Sequence, residues 1–123
     1  MSDFLKKAVA YYTAMNSRDF HNMISHLHPK VVCISPLDTI ESKEVVVEAA
    51  KNFSNFFKSI LIKETFTSLN KVVLLLETDC PAPIGSFRST SILSFEDELI
   101  SKIELFYDAR PFEKVRKEIF TND

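Results

Sequence analysis

The spacing of the apolar residues changes once along this chain, near residue 60, and that change limits the fold more than any single motif. Before it, apolar residues recur every three or four positions, the period of helices with one buried face. Phe4, Ala8, Tyr11 and Met15 form one stripe, widened by Leu5 and Tyr12, with Ser2 as N-cap and Asp3 at the positive helix end. Asn16-Ser17 breaks it. Phe20, Met23, Ile24 and Leu27 mark a second helix, which His28-Pro29 should end because the residue before proline avoids the α region. The run VVCIS reads as a short strand stopped at Pro36, and PLDTIES as a loop. Ser42 opens a third helix with Val46, Ala49, Ala50, Phe53, Phe56 or Phe57, and Ile60 on its buried side.

Beyond residue 60 the alternation is of period two. Strands are expected over 60–68, 72–78, 87–95 and 99–107, with turns at Asn70-Lys71 and Glu96-Asp97-Glu98. Residues 79–85 form a loop in which Gly85 serves a turn of positive φ. Pro111 suits the first position of a last helix carrying Phe112, Val115 and Ile119. The order α-α-β-α-β-β-β-β-α predicts an α+β fold: a curled antiparallel sheet packed against three helices as a cone, an α+β roll of the cystatin-like kind.

Composition narrows the function classes. At 123 residues there is room for one domain, spanning 1–123. Fifteen basic against seventeen acidic residues give a charge of −2, without the basic excess of a phosphate-tracking nucleic-acid binder. One glycine excludes a Gly-rich phosphate loop or dinucleotide fingerprint, and no cofactor is expected. The longest nearly apolar run, Val72 to Leu76, is far below the roughly 20 residues of a membrane helix. The N-terminus shows no secretory h-region, and Cys33 and Cys80 form no C-x-x-C pair, so the cytoplasm is the expected location.

Three stretches together resemble the nuclear transport factor 2-like superfamily, in its SnoaL-like and ketosteroid-isomerase-like branch: AYYTAMNSRDFHNMISHLHPKVVCISP, ESKEVVVEAAKNFSNFF and RSTSILSFEDELISKIELFYDARPF. The resemblance spans roughly residues 4 to 112. It implies a cone with a pocket between helices and sheet, and a homodimer across the outer sheet face. It leaves the activity open, because that fold hosts isomerases, cyclases, epoxide hydrolases and non-enzymatic binders.

The resemblance also orients the strands. It turns Phe87, Ser89 and Ser91 inward on one strand, and Ile103, Leu105 and Tyr107 inward on the last, with Arg88, Thr90, Ile92 and Phe106 outward. Tyr11 matches the tyrosine oxyanion donor of the steroid isomerases, and Phe53 and Phe57 add rings from the third helix. With Ser35 at the end of the first strand, these residues make an expected pocket for a small, mostly apolar or aromatic ligand.

Catalysis is less well supplied. A steroid-isomerase mechanism needs a carboxylate base and a protonated acid beside the tyrosine. At the positions that match, this chain has Ser35 and Ser91. A serine hydroxyl without a partner base has no useful basicity. The remaining candidates for an acid–base group are Asp38, His26 and Asp108. The Arg-x-Asp pair of limonene-epoxide-hydrolase relatives is replaced by Arg88 and Thr90. His21 and His26 lie about 140° apart around a helix, and no carboxylate or thiol joins them at ligand spacing, so no metal site is expected. Three readings follow: a small-molecule binder, an isomerase or polyketide-cyclase-like enzyme using Tyr11 as electrophilic donor, and a homodimeric interaction module.

Overall fold

The computed structural model describes residues 3–113. Ser2, Val115 and Ile119, assigned above to a cap and to a last helix, lie outside the described residues. Helix α1 covers Asp3–Ser17 and α2 Phe20–Ser25, followed by β1 Leu27–Ile34 and β2 Thr39–Ile40. Helix α3 covers Lys43–Phe56, and the strands β3 Ser59–Ser68, β4 Lys71–Asp79, β5 Ser86–Glu96 and β6 Leu99–Phe106 complete the sheet. A short helix α4, Arg110–Glu113, follows.

The six strands form one sheet in the order β2-β1-β6-β5-β4-β3. Three consecutive hairpins build its larger part. The β5–β6 turn places Asp97 and Glu98 both at positive φ, the geometry of a tight hairpin turn whose twist matches its strands. Gly85 also takes a positive φ of 68°, as its place in the 79–85 loop suggested.

The sheet departs from the expected all-antiparallel one. Strand β1 runs parallel to β6, pairing Cys33 with Ile103, while β2 returns antiparallel onto β1 and pairs Cys33 with Ile40. The sheet is therefore mixed, and the expected 36–42 loop contains a two-residue strand. Strand β1 also begins earlier than VVCIS. Helix α2 already ends at Ser25, and Pro29 lies inside the strand beside a register shift between Leu27 and Val32. Proline is tolerated where a ladder bond is already interrupted.

Ser42 caps α3 through its side chain, which accepts from the Val45 N–H. Helices α1 and α3 cover the concave face of the sheet. The core is built from Ala8, Tyr11, Tyr12 and Met15 of α1 against Val72, Leu74 and Leu76 of β4, Leu93 of β5, and Ile100 and Ile103 of β6. A second device holds the helix ends. The Arg18 guanidinium donates to the carbonyl oxygens of Asn16 (2.6 Å), Ser54 (3.0 Å) and Phe57, and lies 4.5 Å from the centre of the Phe57 ring. It ties the C-terminal ends of α1 and α3 together by satisfying carbonyls that a helix leaves unpaired.

Candidate functional site: a cavity inside the cone

The concave sheet and the two long helices do not close on each other completely. A cavity of about 230 Å³ remains between them. Its inner end is made by Tyr11, Tyr12 and Met15 of α1, Ile60 of β3, and Leu76 and Thr78 of β4. Its walls are Cys33 of β1, Ala50 and Phe53 of α3, Ser89 of β5, and Ile103 and Leu105 of β6. Leu37 and the exposed Asp38, Val45 and Glu48 also line it, as do Phe87, Tyr107 and the buried Phe112. Those three rings form a mutual cluster, with centroids 5.0–5.9 Å apart.

The alternation along the strands explains the lining. Phe87 and Ser89 face inward on β5, as do Ile103 and Leu105 on β6 and Tyr107 just past its end, whereas Arg88 and Phe106 point out. On β4 the buried positions are 72, 74, 76 and 78, and the last is a threonine where the pattern would otherwise call for an apolar residue.

Two hydroxyls inside are treated differently by the fold. Tyr12 and Ser91 pair at 2.7 Å in a buried hydrogen bond. Tyr11 is 2% exposed, lines the cavity, and has no hydrogen-bond partner among the described residues. The Tyr11 and Tyr12 rings meet edge to face at 5.1 Å. Burial raises the pKa of Tyr11 well above the ordinary phenol value, helped by Tyr12 and Cys33 nearby. Tyr12 is raised chiefly by burial too, against the lowering effect of Ser91. Both phenols are therefore neutral at pH 7, and Tyr11 can donate a hydrogen bond but cannot act as a base. The Thr78 hydroxyl is also without a partner among the described residues. Cys33 adds a thiol that burial pushes up to about 11, which keeps it protonated and unreactive.

Of the residues expected to bind a ligand, Tyr11, Ser35, Phe53, Phe87, Ser89, Ile103, Leu105 and Tyr107 line the cavity. Phe57 and Ser91 do not. Phe57 lies just past α3, and its ring packs on the Arg18 guanidinium and edge to face against Phe53. Ser91 is fully buried against Tyr12. Ser35 reaches the cavity, but its Oγ is held in the turn, accepting from the N–H groups of Leu37 (3.2 Å) and Asp38 (3.3 Å).

Among the acid–base candidates only Asp38 lines the cavity, at its exposed outer end, with Oδ1 accepting from the Thr39 N–H at 2.8 Å. His26 caps α2, within 3.0 Å of Asn22 Oδ1 and outside the cavity lining, and desolvation lowers its pKa, with Lys7 adding to the shift. Asp108 is clasped by Arg110, whose Nη2 approaches to 2.6 Å and whose N–H to 3.1 Å. That pair holds Asp108 in a separate shallow surface hollow beside Pro83. Among the described residues no three His, Cys, Asp or Glu gather as metal ligands, and no helix is long and apolar enough to cross a membrane.

Tyr12, Thr78, Cys33 and Glu48 are cavity residues that sequence reasoning did not place there. The threonine at an inward position of β4 was the one signal available.

No family model and no curated protein sequence matches the chain. Solved structures do. An NTF2-like protein of unknown function from Cytophaga hutchinsonii superposes with a TM-score of 0.78 at 15% identity, over 89% of this chain and 94% of that one. TerC, co-crystallised with polyporic acid, gives 0.77 at 16% identity, over 92% and 97%. An epoxide hydrolase from M. tuberculosis, of the LEH-like kind, gives 0.77 at 13% identity, over 91% and 87%. With its six-stranded curved sheet, two covering helices and internal cavity, the chain has the nuclear transport factor 2-like fold.

Proposed function

We propose that the cone binds a small, mostly apolar molecule that carries a hydrogen-bond acceptor, with Tyr11 donating to it. The observation that carries this reading is the Tyr11 hydroxyl, which is buried, faces the cavity and has no hydrogen-bond partner among the described residues. That hydroxyl opens onto the cavity, and a ligand carbonyl or hydroxyl would supply the hydrogen bond that the described residues do not. The volume of about 230 Å³ lies below the roughly 300–1,000 Å³ of drug-sized sites, which suits one or two rings. TerC, a fold neighbour co-crystallised with polyporic acid, gives further support.

Binding is preferred to catalysis because, among the described residues, the lining carboxylates Asp38 and Glu48 are both exposed and no imidazole lines the cavity. Among the described residues, an isomerase or cyclase-like reaction would have to draw its base from Asp38 or Glu48. We also propose a homodimer. Phe66, Val73 and Ile92 are cross-strand partners on the outer face, as are Leu75, Thr90 and Phe106 in the next row, and Phe66 and Phe106 are each 54% exposed. The free thiols of Cys33 and Cys80 suit a reducing compartment, and the proposed location is the cytoplasm.

A thermal-shift and calorimetry panel of flat keto and hydroxylated aromatic compounds tests the binding reading. The expected result is a ligand whose affinity falls about fivefold or more in Tyr11→Phe, the worth of one hydrogen bond to a buried donor. Ligands that bind Tyr11→Phe as tightly as the parent would remove Tyr11 from the site, and a panel without any binder would overturn the pocket.

A further inference from the structure

We infer that the cavity selects a ring carrying two oxygen functions, one held by Tyr11 from the helical wall and the other, a hydroxyl, by Thr78 and Ser89 from the sheet. This rests on the binding reading above and adds a second anchor. It names the ligand class as a hydroxylated aryl ketone or a related dioxygenated ring. The inward side of β4 is apolar up to Leu76 and then carries Thr78, and on β5 Ser89 and Ser91 stand between the inward Phe87 and Leu93. Hydroxyls therefore interrupt an otherwise apolar inner face on two adjoining strands. Ser91 is engaged by Tyr12. Thr78 and Ser89 line the cavity, and neither side chain makes a hydrogen bond among the described residues.

The register brings these two together. Thr78 pairs with Phe87 and Leu76 with Ser89, so Thr78 and Ser89 are diagonal neighbours on one face of the β4–β5 ladder. Such neighbours lie about 7–8 Å apart, and less at Cβ, a span that one ligand hydroxyl can bridge. Thr78 carries the argument further, because it is 1% exposed and a valine would fill the same space without a polar atom. Among the described residues the Ser94 hydroxyl is unpaired and sealed in packed surroundings, whereas the unpaired Thr78 hydroxyl keeps surface on the cavity. A ligand hydroxyl both donates and accepts, so it can satisfy two wall hydroxyls at once, which a second carbonyl or an ether cannot do as fully.

Acetophenone, 3-hydroxyacetophenone and 4-hydroxyacetophenone, titrated into the full chain and followed by amide chemical shifts, test the second anchor. The better hydroxylated isomer should bind about fivefold or more tighter than acetophenone. Thr78→Val should shrink that ratio to twofold or less, at about the level of noise in such titrations, with the affinity for acetophenone unchanged. Ser89→Ala should shrink it part of the way. Neither change removes a hydrogen bond among the described residues, and valine keeps the β-branched shape, so urea midpoints should match the parent's. Tyr11→Phe should weaken all three ligands alike and leave the ratio in place. A hydroxylated isomer no tighter than acetophenone, or a ratio that survives both Thr78→Val and Ser89→Ala, would overturn the second anchor while leaving Tyr11 in the site. Thr78→Val weakening acetophenone as much as its hydroxylated analogue would put Thr78 on the ketone and overturn it as well. Acetophenone binding untouched by Tyr11→Phe would instead overturn the role of Tyr11, and failure of all three compounds to bind would overturn both.

Discussion

The Tyr12 hydroxyl and Ser91 Oγ lie 2.7 Å apart across the interface between α1 and β5, and neither residue has more than a trace of exposed surface. A buried hydrogen bond of this kind is worth little net when made and much when half of it is removed. Tyr12→Phe strands the serine hydroxyl and should cost about 1–2 kcal/mol in urea unfolding. Ser91→Ala should cost a similar amount. The double variant should fall short of the sum by about 1 kcal/mol, and strictly additive losses would show that the two groups are not coupled.

Tyr11 is the adjacent phenol and should behave oppositely. Its hydroxyl makes no hydrogen bond within the described residues, so Tyr11→Phe breaks none of the hydrogen bonds among them. Unfolding free energy of the ligand-free variant should match or exceed the parent's, within about 0.5 kcal/mol. A loss above that range would reveal a partner for Tyr11 in the folded chain.

Arg18 is held at a positive φ of 60° and spends its guanidinium on three backbone carbonyls of two helix ends. Arg18→Ala should lower stability by about 2–3 kcal/mol, because carbonyls at both ends lose a charged donor. Arg18→Lys should recover less than half of that, since one ammonium cannot reproduce a planar fork stacked on Phe57. Full recovery by lysine would mean that charge alone matters there.

Asp108 gives a pH signature outside the cavity. The side-chain hydrogen bonds from Arg110 come first, then the Arg110 N–H, and together they hold its pKa down to about 2. A carboxyl depressed in the folded state contributes stability above its unfolded pKa, and that contribution is lost as pH falls through about 2. The carboxyl carbon of Asp108 should titrate near that value by NMR and return to the ordinary carboxylate range in Arg110→Ala. Both side chains are exposed, so global stability at neutral pH should scarcely change. A midpoint that Arg110→Ala leaves in place would assign the shift to another group.

Much of the architecture was legible because it rests on local rules. The change of apolar period near residue 60 separates the helical half from the hairpins, Ser42 reads directly as an N-cap, and the outward Arg88 and Phe106 follow from alternation once the family resemblance orients the strands. What escaped depends on residues far apart in the chain. The Thr39-Ile40 strand exists because β1 has a free edge to receive it, not because TI is strongly β-forming. Pro29 fits in β1 because of a register shift that only the β6 partner defines.

The site was half legible for the same reason. Strand alternation, oriented by the family resemblance, supplied Phe87, Ser89, Ile103 and Leu105. Phe57 was misplaced because its ring is held by Arg18, 39 positions earlier in the chain. Which of two neighbouring tyrosines keeps a vacant hydroxyl depends on Ser91, 79 positions after Tyr12.

The parallel pairing of β1 with β6 also has a consequence in time. Cys33 and Ile103, on adjoining strands of the cavity wall, are separated by about 70 residues of chain, and the hairpins between β3 and β6 can form from much nearer neighbours. During synthesis the wall cannot close until β6 has emerged, and β1 must wait with the backbone groups of that edge unpaired. Competence to hold a ligand should therefore arise late and abruptly, as one of the last events of folding.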